Sequence, residues 1–345
     1  MENIVFQNIN RSSLAENEKN QLKIIARSLL INGVPVILDI HQARLLFGID
    51  GEIGIFVHKH CVQYSVLKKN KEERIIYQPS YKLKKIQRWI VNNILSKIKI
   101  SESCHAFVPG RSILSNAKVH VHEEPFWIYK TDIINFFGEI NFLAVKDIFL
   151  SVGYSQDVSE ILTSLCMYDG VLAQGFPTSP VISNIVLSNF DEDLDAISQK
   201  YNFVYSRYAD DITVSGTQLK NKDIEKIKNI ITYKLHSLGF EINRNKTKFF
   251  GYKADKKVTG VVIKNGQLFC PQKYKKLLNK ELYYINKYGV DSHLIHNEKT
   301  LISNYIGYLY GYAGYIKMIE PDVGDEYVKK LNSIFWDSNF EQDPS

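Results

Sequence analysis

The sequence has few cysteines, and no two of them form a Cys-Xaa-Xaa-Cys pair. The four are far apart, so we expect neither a disulfide framework nor a cysteine-ligated zinc site, and a reducing compartment is indicated. They are Cys61, Cys104, Cys166 and Cys270. The absence of any run of about 18 apolar residues predicts that no helix spans a membrane. The start, Met1-Glu2-Asn3-Ile4, lacks the basic and apolar parts of a signal peptide, and we therefore expect a cytoplasmic protein.

Positive charge exceeds negative charge and is concentrated in two stretches. The 345 residues carry a formal net charge of +6, and a hydrophobic content of 45% is enough for a globular core. Lysine and arginine cluster in residues 68–88 and again in residues 244–280. Segregated positive charge is typical of a surface that binds the phosphates of a nucleic acid. A solvated, lysine-rich helix face gives the same pattern and is the alternative.

Two adjacent aspartates occur in a segment that predicts a β-hairpin. Residues 201–216 are rich in aromatic and β-branched side chains, with Asp210 and Asp211 at a short acidic break. A second predicted strand, residues 125–131, ends at Asp132. If it lies beside the hairpin, three carboxylates converge and raise one another's pKa unless cations bind. Such oxygen ligands suit the divalent metals of phosphoryl transfer, although aspartate is also common in ordinary turns.

Apolar periodicity predicts helices around these strands. Helical spacing indicates helices over residues 83–98, 142–152, 158–167, 182–197 and 224–238, the last of them ended by Gly239. Residues 257–263 are predicted to form a strand, and the chain after Pro271 is predicted to be mainly helical. Elements in this order favour an α+β fold in which helices gather on one face of a mainly antiparallel sheet.

Several motifs together resemble those of retron reverse transcriptases. Tyr208-Ala209-Asp210-Asp211, the upstream Asp132 with its paired aromatic residues, and Gln174–Pro180 are similar to the boxes of a reverse transcriptase palm. Asn116-Ala117-Lys118-Val119-His120 and Val258-Thr259-Gly260 resemble two elements of the retron branch. The resemblance runs from about residue 74 to about residue 263. It implies an RNA-directed DNA polymerase.

The resemblance also implies a right-hand polymerase fold of class α+β. Residues 1–125 would form an N-terminal region and the fingers, residues 126–265 the palm, with part of the fingers near 142–180, and residues 266–345 a helical thumb. The enzyme would copy part of a cognate structured noncoding RNA into branched, RNA-linked multicopy single-stranded DNA, starting from an internal 2′-hydroxyl. Retrons generally act in anti-phage defence with an effector or toxin protein, so such a partner is expected.

Individual residues receive roles from the same resemblance. Two Mg²⁺ ions would be held by Asp132, Asp210 and Asp211 and by the backbone carbonyl of Ile133. The residues expected to contact a deoxynucleoside triphosphate (dNTP) are Arg74, Phe137, Gln174, Gly175 and Lys246. The residues expected to contact nucleic acid are Arg111, Asn116, His120, Tyr208, Val258, Thr259 and Gly260.

Several of these roles have ordinary alternatives. Phe137 would exclude a ribose 2′-hydroxyl, on the alternation expected along an extended segment, but it adjoins Phe136 and either ring can belong to the core. Lys246 resembles a lysine that protonates pyrophosphate, whereas a lone lysine in a basic run is more often a surface charge. Asn116 and His120, four residues apart, can instead brace a helix.

Two other functions stay open at this point. One is a different prokaryotic reverse transcriptase, of group II intron or phage-defence type, against which the short chain and the two retron-like elements argue. The other is a non-catalytic RNA-binding scaffold of the same fold, which has no need for three clustered carboxylates. We recognise no RNase H constellation, so removal of the template RNA would need another protein.

Overall fold

The chain begins with helices that lead into a β-hairpin. The computed structural model describes residues 2–67, 73–123, 125–218, 221–296, 305–334 and 336, so Lys68, Lys69 and Lys71 of the first basic stretch lie outside the described residues. The first helices are α1 (Glu2–Arg11), α2 (Glu16–Ile31), α3 (Ile40–Phe47) and α4 (Ile53–Lys59). Strands β1 (Cys61–Leu67) and β2 (Glu73–Pro79) then pair antiparallel.

Two helices connect this hairpin to the central sheet. Helix α5 (Tyr81–Asn93) begins after Ser80, whose hydroxyl accepts from the N–H of Leu83. Its apolar side is buried, as the periodicity predicts, but the helix ends before Ile94 and a short 3₁₀ turn replaces its predicted last turn. Helix α6 (Ile113–Lys118) begins at Ser112, which caps its first N–H groups.

A four-stranded antiparallel sheet carries the acidic residues. Its strands are β3 (Trp127–Asp132), β4 (Val204–Tyr208), β5 (Asp211–Gly216) and β6 (Lys248–Phe250), in the spatial order β4–β5–β3–β6. Strands β4 and β5 form the predicted hairpin, and β3 pairs with the other edge of β5. Most side chains of β3, β4 and β5 are buried, as expected for strands rich in aromatic and β-branched residues.

Helices between these strands share a hydrophobic core with the sheet. They are α7 (Phe142–Val152), α8 (Gln156–Cys166), α9 (Ser179–Val186), α10 (Ser188–Tyr201) and α11 (Asn221–Ser237). Helix α7 has the predicted bounds, and α11 is followed by Gly239 at a φ of 84°. The single helix predicted over residues 182–197 is wrong. The chain turns at Leu187, whose side chain is fully buried at the junction of α9 and α10.

The C-terminal part combines a small sheet with helices. Strands β7 (Lys256–Val258), β8 (Val261–Lys264) and β9 (Gln267–Phe269) precede α12 (Gln272–Tyr288), α13 (Val290–His296), α14 (Tyr305–Ile319) and α15 (Pro321–Asn332). The single strand predicted over residues 257–263 is wrong. Val258 pairs with Val261, and Thr259 and Gly260 form a two-residue turn with φ values of 45° and 94°. Positive φ at both positions is the geometry that such tight hairpins need.

Buried apolar side chains form two groups. One extends from Leu29 to Phe240 and joins the N-terminal helices to the central sheet. The other contains mainly the C-terminal sheet and helices, so Val258 and Val261 pack with the C-terminal part. The boundary at residue 265 stays a prediction. In the described ranges, every helix is too short or too polar to cross a lipid bilayer.

Candidate active site

Three aspartates meet where strands of the central sheet end. Asp132 is the last residue of β3 and lies opposite Asp211, the first residue of β5. Asp210 lies in the turn between β4 and β5 and interacts electrostatically with Asp132 and Asp211. The N–H of Ile133 donates to the carbonyl of Asp210 at 3.0 Å, which holds the turn against the end of β3. Strand pairing thus brings together carboxylates that are far apart in the sequence.

Negative charge accumulates at this end of the sheet. Burial, followed by the neighbouring Asp132 carboxylate, raises the pKa of Asp210 to about 6. Burial also raises the pKa of Asp211, although the ammonium group of Lys130 opposes that shift. A raised pKa means that the ionised form of the carboxyl group is destabilised, and a bound cation would stabilise that ionised form. The cluster therefore fits divalent metal ions, which prefer carboxylate oxygens.

Two lysines neutralise part of this charge. Lys246 Nζ donates to both oxygens of Asp132, at 2.9 and 3.0 Å, and this bond is the main cause of its raised pKa. Lys130 Nζ donates to Asp211 Oδ2 at 3.1 Å. Within the described residues, no three His, Cys, Asp or Glu side chains form a ready site for one ion. A metal ion would therefore displace an ammonium group or take further ligands from a substrate.

The motifs give Lys130 no role, although the sequence holds a signal for its position. Residues two apart on a strand point to the same face of a sheet. Lys130 and Asp132 are two apart on β3, so a cation beside the acidic cluster follows from that period. Lys246 is different, because it is 114 residues from Asp132 along the chain and only the fold brings them together.

A cleft of about 1080 Å³ opens beside the carboxylates. Among its lining residues are Arg74, Phe137, Gln174 and Lys246, which the motifs predict to contact a dNTP. Arg74 lies on β2, and its Nε donates to Gln174 Oε1 at 2.5 Å. The hairpin β1–β2 and the Gln174 turn therefore form one wall, facing the aspartates across a volume sufficient for a nucleotide.

Gly175 is required for a reason other than the predicted one. Its φ is 116°, and an added Cβ would lie 2.2 Å from the carbonyl oxygen of Tyr77. The N–H of Tyr77 also donates to the carbonyl of Gln174 at 2.8 Å. The close approach is therefore made by the backbone of β2. Gln174, its neighbour, lines the cleft, and the expected dNTP contact at Gly175 stays a prediction.

Phe136 and Phe137 differ in environment, but not because of an extended backbone. Phe136 is buried and packs on Phe240 with ring centroids 5.8 Å apart. Phe137 is the more exposed of the two at the cleft wall. Residues 134–139 form turns, with Asn135 at a φ of 45°, so the predicted alternation of an extended segment is wrong. The sugar-selecting role of Phe137 stays a prediction.

Asn116 and Val258 are fully buried, so the expected RNA contacts at these residues are wrong for this structure. Asn116 Nδ2 donates to Thr259 Oγ1 at 3.3 Å, and the Thr259 hydroxyl donates to the carbonyl of Ile113 at 3.0 Å. The two retron-like elements of the sequence therefore contact each other. They join α6 to the turn between β7 and β8.

His120 is also fully buried, beneath the hairpin that carries the aspartates. One ring nitrogen lies 2.7 Å from the hydroxyl of Ser215 on β5, and the other 2.7 Å from that of Ser206 on β4. Burial lowers the pKa of His120 to about 3, so its ring is neutral near neutral pH. The predicted RNA contact is wrong here too, and His120 instead cross-links the two strands.

Arg111 forms hydrogen bonds within the protein. Its Nη1 donates to the carbonyls of Ser101, Glu102 and Cys104 at 2.8, 3.1 and 2.6 Å, and its Nη2 donates to the Glu102 carboxylate. These bonds brace the loop before α6. The predicted template contact at Arg111 stays a prediction.

A second cavity, of about 560 Å³, adjoins the first at Asp132 and Lys246. Its other walls include three lysines and the turn after β7, namely Lys130, Lys248, Lys257, Thr259 and Gly260. The cavity is therefore basic except where Asp132 and Asp211 close it. Tyr208, for which a nucleic-acid contact is predicted, is half-buried at the end of β4, opposite Asp211.

Residues 66–263 match the protein family described as reverse transcriptase (RNA-dependent DNA polymerase). The retron Ec86 reverse transcriptase of Escherichia coli is 35% identical over 255 residues, which are 72% of this chain and 78% of that protein. This chain belongs to the retron reverse transcriptases. The retron Ec73 enzyme of Escherichia coli is 32% identical over 79% of this chain and 86% of that protein. The retron Mx65 enzyme of Myxococcus xanthus is 28% identical over 79% of this chain and 64% of that protein.

The reverse transcriptase has the right-hand polymerase fold of class α+β and is an RNA-directed DNA polymerase. Its reaction uses an RNA template and dNTPs and depends on a divalent metal. Among solved structures, Candida albicans telomerase in complex with a TWJ fragment of telomeric RNA is 12% identical, with a TM-score of 0.47. The match covers 81% of this chain and 64% of that chain.

Proposed function

We propose that this reverse transcriptase extends a strand by two-metal nucleotidyl transfer, with Mg²⁺ at Asp132, Asp210 and Asp211. The observation that carries the proposal is the register of β3 on β5, which sets Asp132 opposite Asp211 and beside the turn of Asp210. Two bound Mg²⁺ ions would lower the pKa of the attacking hydroxyl and neutralise the leaving phosphates. Carboxylate oxygens, with the backbone carbonyl of Ile133, suit this hard octahedral ion.

We assign the first cleft to the incoming dNTP. The guanidinium fork of Arg74 suits phosphate oxygens, and its bond to Gln174 holds it at the cleft wall. Phe137 would face the 2′ position of the sugar and exclude a ribose hydroxyl. Lys246 lines both cavities at Asp132, which supports a contact with the phosphate that is attacked or with the pyrophosphate that leaves.

We assign the second cavity to the strand that carries the attacking hydroxyl. Lys130, Lys248 and Lys257 line it, and ammonium groups bind the phosphates of a nucleic-acid backbone. Because both cavities include Asp132, a hydroxyl in one and an α-phosphate in the other can meet at the aspartates. The hydroxyl would lose its proton to solvent and its oxygen would form a bond to the α-phosphorus, while the bond from the α-phosphorus to the bridging oxygen breaks and pyrophosphate leaves with that oxygen.

The template that we propose is a cognate structured noncoding RNA, and the product is DNA joined to an RNA branch through a 2′-hydroxyl. The support is that relatives matching most of this chain are reverse transcriptases of retrons. A role in anti-phage defence with an effector protein, in the cytoplasm, belongs to the same proposal.

The metal assignment is tested by Asp210→Asn combined with Asp211→Asn. Synthesis of DNA on an RNA template should become undetectable while RNA binding, measured by filter retention, persists. The matched control is Asp50→Asn with Asp255→Asn, because both of these aspartates are exposed and lie outside the two cavities. Synthesis that survives in the Asp210/Asp211 variant would refute the assignment. Loss of synthesis with an unaltered RNA affinity would show that the aspartates serve catalysis and not RNA binding.

The branched product is tested on nucleic acid that co-purifies with the protein from cells carrying the complete retron locus. Debranching enzyme should release a DNA with a free 5′ end, and sequencing across the junction should identify the branching nucleotide. A product that is linear before debranching would contradict 2′-hydroxyl priming and favour another class of prokaryotic reverse transcriptase.

A further inference from the structure

Arg207 is a fully buried charge close to the catalytic turn, and none of the motif roles includes it. Its Nε donates to Asp191 Oδ1 at 2.8 Å, and its Nη2 donates to Asp191 Oδ2 at 2.6 Å. Asp191 is fully buried as well. Removing two charges from water is unfavourable, and well-packed apolar residues often stabilise a core equally well. The pair therefore calls for an explanation beyond stability.

The remaining terminal nitrogen of Arg207 reaches the turn itself. Nη1 donates to the carbonyl of Ala209 at 3.1 Å and to Asn184 Oδ1 at 3.2 Å. Ala209 has a φ of 57°, in the left-handed region that is unfavourable for a residue with a Cβ. Its carbonyl belongs to the peptide that leads into Asp210. The bond from Arg207 therefore sets the plane of that peptide and supports a backbone conformation that alanine does not prefer.

The turn is held from both sides. On the helix side, Asp191 of α10 and Asn184 of α9 hold the guanidinium, and the Tyr205 hydroxyl donates to Asp191 Oδ1 at 2.6 Å. On the sheet side, the N–H of Ile133 donates to the carbonyl of Asp210. The backbone of Asp210 thus lies between an anchor at Ala209 and an anchor at Ile133.

We infer that Arg207 is a positioning residue that orients the Asp210 carboxylate for metal binding through the carbonyl of Ala209, with Asp191 and Asn184 holding its guanidinium. This inference rests on the proposed metal role of Asp210. Arg207 is fully buried and lines neither cavity, so it would act only through the residues it holds. An ion pair of purely structural purpose would affect folding alone, whereas a positioning residue affects the metal constant and the turnover of folded enzyme.

The test removes both charges together, with Asp191→Asn and Arg207→Met. No unpaired charge is then left in the core, and the introduced asparagine keeps an oxygen for the Tyr205 hydroxyl, whereas the Ala209 carbonyl loses its donor. We expect folded enzyme with kcat lowered about 10- to 100-fold, as displacement of a reacting group by about 1 Å can cause. The Mn²⁺ dissociation constant, measured by electron paramagnetic resonance without nucleotide, should rise about tenfold. The KM for dNTP should change less than about threefold, since Arg74 and Gln174 are untouched.

Lys234→Met with Asp193→Asn is the matched control, because it removes an ion pair between α11 and α10 whose residues line neither cavity. It should leave kcat and the Mn²⁺ constant unchanged. Arg207→Lys covers the case in which the double variant fails to fold. A lysine keeps the charge next to Asp191 but lacks the planar fork that reaches Ala209 as well, and should weaken Mn²⁺ binding similarly.

Wild-type kcat and Mn²⁺ affinity in either folded Arg207 variant would overturn the inference. Asp210→Asn, assayed alongside, keeps this outcome distinct from a failure of the proposed function. If Asp210→Asn still synthesises DNA, the metal assignment itself is lost. If Asp210→Asn is inactive while the Arg207 variants behave as wild type, only the positioning role is lost.

Discussion

Lys246 binds the oxygens of Asp132 that a metal ion would need, so replacing it should move metal binding and turnover in opposite directions. Its Nζ lies 2.9 and 3.0 Å from the two oxygens of Asp132, and its side chain is 61% exposed. Because water screens an ion pair this exposed, the pair is worth about 0.5–1 kcal/mol. A metal ion that displaces the ammonium group must break this pair, so its net binding free energy is weaker by the same amount.

We expect Lys246→Met to bind Mn²⁺ or Mg²⁺ about two- to fivefold more tightly in the absence of nucleotide, since 1.4 kcal/mol corresponds to a factor of ten. The kcat for nucleotide incorporation should fall, because the displaced ammonium group is the one that we assign to the phosphates. Electron paramagnetic resonance of Mn²⁺ gives the dissociation constant, and single-turnover incorporation on an RNA template gives the rate.

Lys248→Met is the matched control for metal affinity. It removes the same charge from the second cavity, but the described contacts include no bond from Lys248 to Asp132. If net charge alone governs metal binding, both variants should tighten it by a similar factor. Unchanged or weakened metal binding in Lys246→Met would show that the ammonium group does not compete with the ion, and the reasoning would then be refuted.

Two further predictions follow from the cleft wall and from the buried histidine. Phe137→Ala should raise incorporation of ribonucleotides relative to deoxynucleotides in single-nucleotide kinetics, and unchanged selectivity would place the steric barrier elsewhere. The pKa of His120 is about 3 in the folded protein against 6.5 ordinarily, so the unfolded chain binds a proton first and stability falls as pH drops below about 6.5. His120→Gln should reduce that slope by up to about 1.4 kcal/mol per pH unit, measured by urea unfolding between pH 7 and 4.5. His236→Gln, which replaces an exposed histidine, is the control. An equal slope in both variants would contradict the assignment.

The parts of the fold that could be predicted are those that local sequence determines. The alternation of aromatic and β-branched residues around Asp210 gives the hairpin, and Gly239 ends α11 because it adopts a positive φ. The convergence of Asp132 with the hairpin needed one further assumption, that β3 pairs with β5. The register of that pairing confirms the assumption.

Other parts depend on partners that periodicity does not reveal. A glycine at position 175 indicates a close approach, but only the fold identifies Tyr77 as the neighbour. Leu187 fits a continuous helix by its spacing, yet the helix is interrupted there and the side chain is fully buried. In the sequence, Arg207 is one more basic residue in a predicted strand. Only the fold shows that Asp191, from a separate helix, lies beside it.

The burial of Asn116 also limits which groups a nucleic acid would meet beside the β7–β8 turn. Asn116 and Thr259 join α6 to the β7–β8 turn, and the Tyr315 hydroxyl donates to the carbonyl of Gly260 at 3.2 Å, which joins the same turn to α14. The groups left for a ligand in the second cavity include backbone at Gly260, the amide of Asn245 and ammonium groups such as that of Lys257. The phosphate backbone dominates the affinity of a nucleic acid for a site lined by ammonium groups. A nucleic acid in this cavity would therefore be held mainly through its phosphates, and we expect its affinity to fall steeply as the salt concentration rises.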